Sequence, residues 1–466
     1  MLKLYNSLGR GLQEFRPIRD GEVRMYTCGP TVWNYAHIGN LRTFVFEDLL
    51  RRYLKFKGFK VTQVMNITDV EDRILRGIKE SGKGLAELTA FYESTFHEDL
   101  ATLGVERAEF YPRATEHVKE MIKLIGVLTA KGFAYKAADG SVYYDVSKFK
   151  NYGALSGVKL SSLKSAGRVS SDHYEEKREA TDFALWKAWD PDDGEVFWET
   201  ELGKGRPGWH IECSAMSMKY LGEAFDIHTG GMDNKFPHHE NEIAQSEAAT
   251  GKKFVNYWLH SGILNVRGEE MHKSVGNVVY LRDLLKEGRD PLTIRLFLIS
   301  ARYRDSVDLT ETALEQARSQ RLRLQELVTR VRSVEGDEKG DDEGVKGLLA
   351  DFQGAMDDDL NTPMALAALF TFAKKTNAQI DSKSIGAESA SMILDGLARV
   401  NTVLGVLDFT EEELPQALAA LLARREEARK NRDFPESDRL RDQLLAEGIV
   451  VEDTPWGSKW KRRSKG

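Results

Sequence analysis

Cysteine is almost absent from this chain: its 466 residues include two, Cys28 and Cys213. Two thiols cannot make a disulfide framework for so long a chain, which excludes a disulfide-stapled scaffold and agrees with a reducing compartment. Long apolar runs are also absent. No stretch approaches about 18 consecutive apolar residues, and MLKLYNSLGRGLQEF lacks the charged, apolar and small-residue regions of a signal peptide; a soluble, cytoplasmic protein with no membrane partner is expected. No repeat at solenoid period occurs. Positive charge is not in excess: 66 Lys and Arg against 73 Asp and Glu leave a formal net charge of −7. That argues against indiscriminate nucleic-acid binding but leaves local patches open. One patch closes the chain, WGSKWKRRSKG, where Lys459, Lys461, Arg462, Arg463 and Lys465 are interleaved with Trp456 and Trp460 and no acid intervenes. Such a mixture suits phosphate neutralisation and base stacking; a frayed, solubilising tail is the plainer alternative.

A chain of this length exceeds the size of a single core, so about two to four domains are expected. VRMYTCGPTV has the β-branched and aromatic content of a buried strand and ends in a Gly-Pro break. NLRTFVFEDLLRRYLKFKG follows with Phe46, Leu49, Leu50, Tyr53 and Leu54 at helical spacing and a stop at Gly58. KVTQVMNIT is a second strand. Strand, helix and strand in succession predict a βαβ unit of an open parallel sheet, whose ligands bind at the carboxyl ends of the strands. Cys28 and His37 follow the first strand; Asn66, Thr68 and Asp69 end the second. From about 113 to 200 the pattern turns irregular, with hairpin-like strands in YKAADGSVYYDVSKFKNYGALSG and a polar loop in SSLKSAGRVSSDHYEEKRE, which reads as an insertion. AFDIHTGG and FVNYWLHSG resume strand character around a helical PHHENEIAQSEAATG. Beyond about 280 the chain is mostly helical to about 405, interrupted by a flexible, exposed VEGDEKGDDEG at 334–344, and a short charged module over 406–466 closes it.

Several residues carry chemistry. His238 and Glu242 stand at i, i+4 on the helical segment, and with Cys28 and Cys213 they would complete a tetrahedral zinc site. On the cysteines alone, two buried free thiols are the plainer reading. His37-Ile38-Gly39-Asn40 opens the first helix after a strand. A helix N-terminus offers unpaired N–H groups to phosphate, the histidine adds a donor, and Gly39 permits close approach; an ordinary helix start has the same four letters. In EEMHKSVGN (269–277), Lys273 would neutralise charge on a leaving pyrophosphate, where a solvated loop lysine is the alternative.

Taken together, the motifs YTCGPTVWNYAHIGN, NITDVEDRI, TDFALWKAW, GWHIECSAM, DIHTGGMDNKFPHHENEIAQSE, EMHKS and EDTPWGSKWKRR resemble those of the class I aminoacyl-tRNA synthetases, and among them the cysteinyl-tRNA synthetases. HIGN stands where the class has His-Ile-Gly-His, and EMHKS where it has Lys-Met-Ser-Lys-Ser. The resemblance covers nearly the whole chain. It implies an α/β fold: a Rossmann-type catalytic domain over 1–280 with a connective insertion, a helical tRNA-stem domain over 281–405, and an anticodon-recognition module over 406–466. It implies one zinc held by Cys28, Cys213, His238 and Glu242; His239 and Glu240 are adjacent alternatives as ligands, but helix geometry points them away from the face that His238 and Glu242 share. It implies a cysteine and adenylate pocket of Gly29, Thr31, Thr68, Trp209, His228 and Asp233. ATP with Mg²⁺ would meet His37, Gly39, Asn40, Lys273 and Ser274, of which His37, Asn40 and Lys273 would be catalytic. The implied partners are L-cysteine, ATP and tRNA(Cys), the last read by Trp456, Asp453 and nearby arginines, and the implied state is a monomer.

The metal has a chemical purpose in this scheme. Cysteine and serine differ by one atom, which an ordinary pocket separates poorly, whereas a soft thiolate bonded to zinc is distinguished at once. One motif departs from the pattern: Glu270 replaces the first signature lysine and His272 the first serine, which puts two carboxylates, Glu269 and Glu270, beside a triphosphate unless they point outward or pair with a cation such as Arg267. Lys273 is then expected to carry more of the loop's contribution. Two rival readings share these residues: a ligase joining cysteine to a small amine, as in mycothiol synthesis, and a non-catalytic tRNA-binding paralogue. The anticodon-type C-terminus weighs against the first; an unbroken HIGN and a full ligand set weigh against the second.

Overall fold

The computed structural model of the protein describes residues 1–158, 177–179, 181–272, 276–338, 343–410, 414–454 and 457–462. The polar loop at 161–179, for nearly all its length, and Lys273 and Ser274 of the EMHKS loop lie outside these. The chain divides into two compact units, Met1–Leu407 and Asp408–Gly466.

The first unit is organised by four parallel strands: β1 (Glu22–Thr27), β2 (Lys60–Met65), β3 (Phe225–Gly231) and β4 (Val255–Ser261), in the spatial order β4-β3-β1-β2. The α/β reading therefore holds. Strands buried on both faces need near-continuous apolar residues, and Val23, Met25, Tyr26, Val61, Val64, Phe225 and Ile227 are all buried. Helix α1 (Ile38–Phe56) joins β1 to β2 and buries Phe44, Val45, Leu49, Leu50 and Tyr53. Two further helices follow, α2 (Trp209–Leu221), which packs against β1 and β2, and α3 (His238–Thr250), which packs against α2. Between β2 and α2 the chain forms a five-stranded antiparallel sheet that starts at Ala134 and runs on to Pro207.

After a three-stranded sheet over residues 264–309, the unit is helical, with long helices at Glu311–Arg332, Glu343–Asp357, Thr362–Asp381 and Ala387–Leu404. A buried ion pair ties this part to α1. The fully buried Arg295 donates to Asp48 Oδ2 at 2.5 Å, to the Leu103 carbonyl at 3.0 Å and to the Leu404 carbonyl at 2.7 Å. The described part of the acidic break is exposed, yet it is tied down: Gly336 and Glu338 accept backbone bonds from Ala387 and Gly386.

The second unit comprises helices Gln416–Lys430 and Phe434–Ala446 and an antiparallel hairpin, Ile449–Thr454 with Gly457–Arg462. The hairpin replaces the frayed tail that the basic composition allowed. Trp460, half-buried, packs against a small core of Leu444, Ile449 and Val451. Trp456 and Arg463 lie outside the described residues.

Candidate active site and metal centre

The sheet order creates the site. From β1 the chain crosses to β2 on one side and later returns to β3 on the other, so a crevice opens at the carboxyl ends of β1 and β3, where open α/β sheets bind ligands. Cys28 is the first residue beyond β1, and its N–H donates to the Thr229 carbonyl of β3 at 3.2 Å. Cys213 comes from the middle of α2, and His238 and Glu242 from the first turns of α3. One donor atom from each of the four lies within 4.8 Å of the other three. Glu242 Oε1 is 3.2 Å from His238 Nε2 and 4.0 Å from Cys28 Sγ.

All four residues are buried. Burial pushes both thiols above the ordinary cysteine range and pulls His238 down to about 3. Loss of water is what a divalent cation would offset, by drawing thiolates and a carboxylate to itself. Two sulfurs, one neutral imidazole and one carboxylate form a borderline-soft set that suits zinc. The imidazole is braced as metal-binding histidines usually are: Nδ1 of His238 meets Nδ1 of His210 at 3.0 Å, and the Trp209 ring stacks on it with 4.2 Å between centroids. His210 is buried and held neutral, its pKa lowered to about 3 by desolvation. It was not among the expected site residues, although it stands three residues before Cys213 on the same helix, a spacing that places both on one side.

The expectation that His239 and Glu240 turn away from the ligand face needs correcting for His239. Its Nε2 lies 3.2 Å from Cys28 Sγ and 3.9 Å from Glu242 Oε1. Residues three apart on a helix are neighbours as well as those four apart, so His239 and Glu242 share a side. Glu240 does point elsewhere, accepting the backbone N–H groups of Gly153 and Ser156.

The expected pocket residues surround this cluster to different degrees. His228, buried in β3, places Nε2 3.0 Å from Glu242 Oε2 and stacks on Trp258. Thr68 is buried, accepts from Asn66 Nδ2 at 3.1 Å and donates to Glu212 Oε2 at 3.1 Å; its backbone bridges that of Thr31. Gly29 donates its N–H to Asn66 Oδ1 at 2.9 Å, and a Cβ there would run into the Asn66 carbonyl, so only glycine lets the ends of β1 and β2 meet this closely. Trp209 is half-buried beside His238, whereas Asp233 is exposed in the turn after β3. Glu212, which lies within GWHIECSAM, and Glu47 of α1 are buried carboxylates that the motifs did not single out.

At the start of α1, His37 and Asn40 form a reciprocal cap. The Asn40 N–H donates to His37 Nδ1 and the His37 N–H to Asn40 Oδ1, each at 3.2 Å. Met271 of EMHKS, and Val279 a little further along the chain, lie against this turn. The Ile38 N–H donates to the Val279 carbonyl at 2.9 Å, and a Cβ on Gly39 would lie 2.7 Å from Met271 Cε. The base of the loop is held by Asn277, which accepts from the His272 N–H at 2.9 Å and donates to the Glu270 carbonyl at 3.0 Å. Glu269 and Glu270 are exposed, and among the described residues the basic side chain beside the Glu270 carboxylate is the His272 imidazole, at 3.9 Å, in place of Arg267.

A parallel sheet that ends in a ligand crevice, a capped HIGN helix and a second motif packed on that cap define a class I tRNA synthetase. The comparisons with known proteins agree. Residues 14–319 match the family of tRNA synthetases class I (C) catalytic domain, residues 351–408 the DALR domain, and residues 411–460 the cysteinyl-tRNA ligase anticodon binding domain. The chain belongs to the cysteine–tRNA ligase family. It is 45% identical over 469 residues to the cysteine–tRNA ligase of Protochlamydia amoebophila, covering 99% of this chain and 98% of that one. To that of Solibacter usitatus it is 46% identical over 473 residues, covering 99% and 100%. The fold alone is shared with a methionyl-tRNA synthetase of Mycobacterium tuberculosis bound by methionyl-adenylate, at TM-score 0.60 and 14% identity over 83% of this chain and 88% of that one. No helix among the described residues is long and apolar enough to cross a membrane.

Proposed function

We propose that this chain activates L-cysteine with ATP and Mg²⁺ and transfers it to the 3′-terminal adenosine of tRNA(Cys), as a monomer in the cytoplasm. The observation that carries the reading is the convergence of Cys28, Cys213, His238 and Glu242 at the crevice of a cysteine–tRNA ligase fold. Those four would hold a zinc, which supplies a soft Lewis acid that prefers a substrate thiolate to a hydroxyl.

In the first step a carboxylate oxygen of cysteine attacks the α-phosphate of ATP, forming cysteinyl-adenylate and releasing pyrophosphate. In the second, a ribose hydroxyl of the tRNA attacks the adenylate carbonyl, loses its proton and displaces AMP. Neither step needs a covalent enzyme intermediate, so alignment and charge stabilisation do the catalysis. Because His37 Nδ1 accepts the Asn40 N–H, a neutral His37 ring carries its proton on Nε2 and presents a donor to phosphate. Because Asn40 Oδ1 accepts the His37 N–H, its amide turns N–H donors outward. Lys273 would supply a positive charge to the leaving pyrophosphate. Thr68, Trp209, His228 and Asp233, with Gly29 and Thr31, would line the space for cysteine and its adenylate; the nearness of Trp209 and His228 to the donor cluster supports this.

The test is ATP–pyrophosphate exchange with cysteine and with serine, alongside tRNA charging and metal analysis. Cysteine-dependent exchange, charging of tRNA(Cys) and one zinc per chain are expected. Exchange without charging would favour a small acceptor, and charging by metal-free protein with unchanged rejection of serine would sink the role given to zinc.

A further inference from the structure

We infer that the crevice offers its divalent ion a second seat, made by Cys28, His228, His239 and Glu242. The inference rests on the reading of Cys28, Cys213, His238 and Glu242 as the first seat. One donor atom from each of the second four also lies within 4.8 Å of the other three. Cys28 Sγ is 3.2 Å from His239 Nε2, and Glu242 reaches His228 Nε2 at 3.0 Å and His239 Nε2 at 3.9 Å.

The far sides of both imidazoles are occupied in the way that aims a histidine at a metal. Nδ1 of His228 faces the Thr229 carbonyl at 3.3 Å. Nδ1 of His239 meets His260 Nε2 at 2.9 Å, and His260 Nδ1 meets Ser7 Oγ at 2.8 Å. A proton on each of these Nδ1 atoms satisfies the whole chain and leaves the Nε2 lone pairs of His228 and His239 converging with a thiol and a carboxylate. All four residues are buried, three of them fully, so water is not at hand to solvate those lone pairs, and a cation stabilises the arrangement.

The two seats share Cys28 and Glu242, so one ion fills one seat at a time. Moving between them exchanges Cys213 and His238 for His228 and His239 while two ligands keep hold. The ion can thus be taken up or given back in steps, without releasing every donor at once. The second seat has one thiolate, two imidazoles and one carboxylate, a set for Zn²⁺ or Co²⁺ with less bias toward softer ions than the first.

Cobalt spectroscopy on the full chain tests this. Wild type should bind a single Co²⁺ with sulfur-to-metal charge transfer from two thiolates; its absence would overturn the first seat, a failure distinct from that of the second. The Cys213→Ala/His238→Ala variant, checked for native circular dichroism, should still bind a single Co²⁺, with about half the charge-transfer intensity because one thiolate remains. Adding His239→Ala should abolish binding. A folded double variant that takes up no cobalt, or a triple variant that binds as well as the double, overturns the second seat. If the double variant does not fold, Cys213→Ser alone is read in the same way: a one-thiolate spectrum lost on adding His239→Ala supports the seat, and one indifferent to it rejects it.

Discussion

Glu47 lies in the middle of α1, fully buried, with its carboxylate against β3. Oε1 accepts the Thr229 hydroxyl at 2.8 Å, and among the described residues Oε2 has no hydrogen-bond partner. Desolvation raises its pKa from 4.5 to about 8, with the Thr229 bond pulling weakly the other way. The folded chain therefore keeps a proton that the unfolded chain gives up near 4.5. The stability tied to this group is complete below that value and drains as pH rises toward about 8. At about 1.4 kcal/mol per unit, keeping that proton in the fold has cost about 3 kcal/mol of stability by neutral pH. Glu47→Gln keeps a carbonyl for Thr229 and cannot ionise, though its buried amide N–H groups add a pH-independent cost of about 1–3 kcal/mol. The diagnostic quantity is thus a slope: the unfolding free energy of the variant minus that of wild type, from urea titrations at pH 5 and pH 8, should rise by about 3 kcal/mol. Other titrating groups are common to both proteins and cancel. A divalent ion beside Cys28, whose thiol feels the Glu47 charge, would hold the carboxylate ionised more easily, so the slope should be steepest after chelation. A difference that does not change between pH 5 and pH 8 would refute the reasoning.

Other perturbations follow from the same structure. Asp48→Ala strands the buried Arg295 guanidinium with two carbonyls and no carboxylate, and should cost about 3–5 kcal/mol in thermal unfolding, whereas pairing Asp48→Leu with Arg295→Met should recover most of it; a double variant as unstable as the single would contradict this. His210→Ala removes the brace on His238 and should weaken zinc binding by about 10- to 100-fold in chelator competition, so an unchanged affinity would show that the brace is idle. Lys273→Ala should lower cysteine-dependent pyrophosphate exchange by on the order of a hundredfold, and Glu270→Lys should leave it equal or faster; an unaffected Lys273→Ala enzyme rules out the loop's assigned role. Ending the chain at Leu407, the limit of the first compact unit, should spare exchange and weaken tRNA charging, an assignment that fails if both fall together.

Much of this was readable in the sequence because local rules govern it. The βαβ unit showed in apolar periodicity and the stop at Gly58, and the metal-ligand types showed in the scarcity of cysteine and the i, i+4 pair of His238 and Glu242. Other features needed contacts that no local pattern encodes. His238 and His239 stand at i, i+4 and i, i+3 to Glu242, so helix spacing alone does not choose between them, and the nearness of His239 to Cys28 depends on how α3 is placed against the end of β1. His210 matters because α2 brings it to the far nitrogen of His238. That one side of the Trp460 ring packs on a small core depends on the hairpin, which the basic and aromatic composition does not encode.

By itself the sequence determined the inventory: which side chains can bind a soft ion, which turn can cap a helix and receive phosphate, and which segments alternate as strand and helix. Only the tertiary structure decided the assembly. Residues 28, 213, 238 and 242 meet because the chain leaves β1 for β2 and returns to β3 on the opposite side, opening the crevice where their donors converge. That order is set by burying apolar faces across the whole unit, a global balance that no short stretch of residues contains.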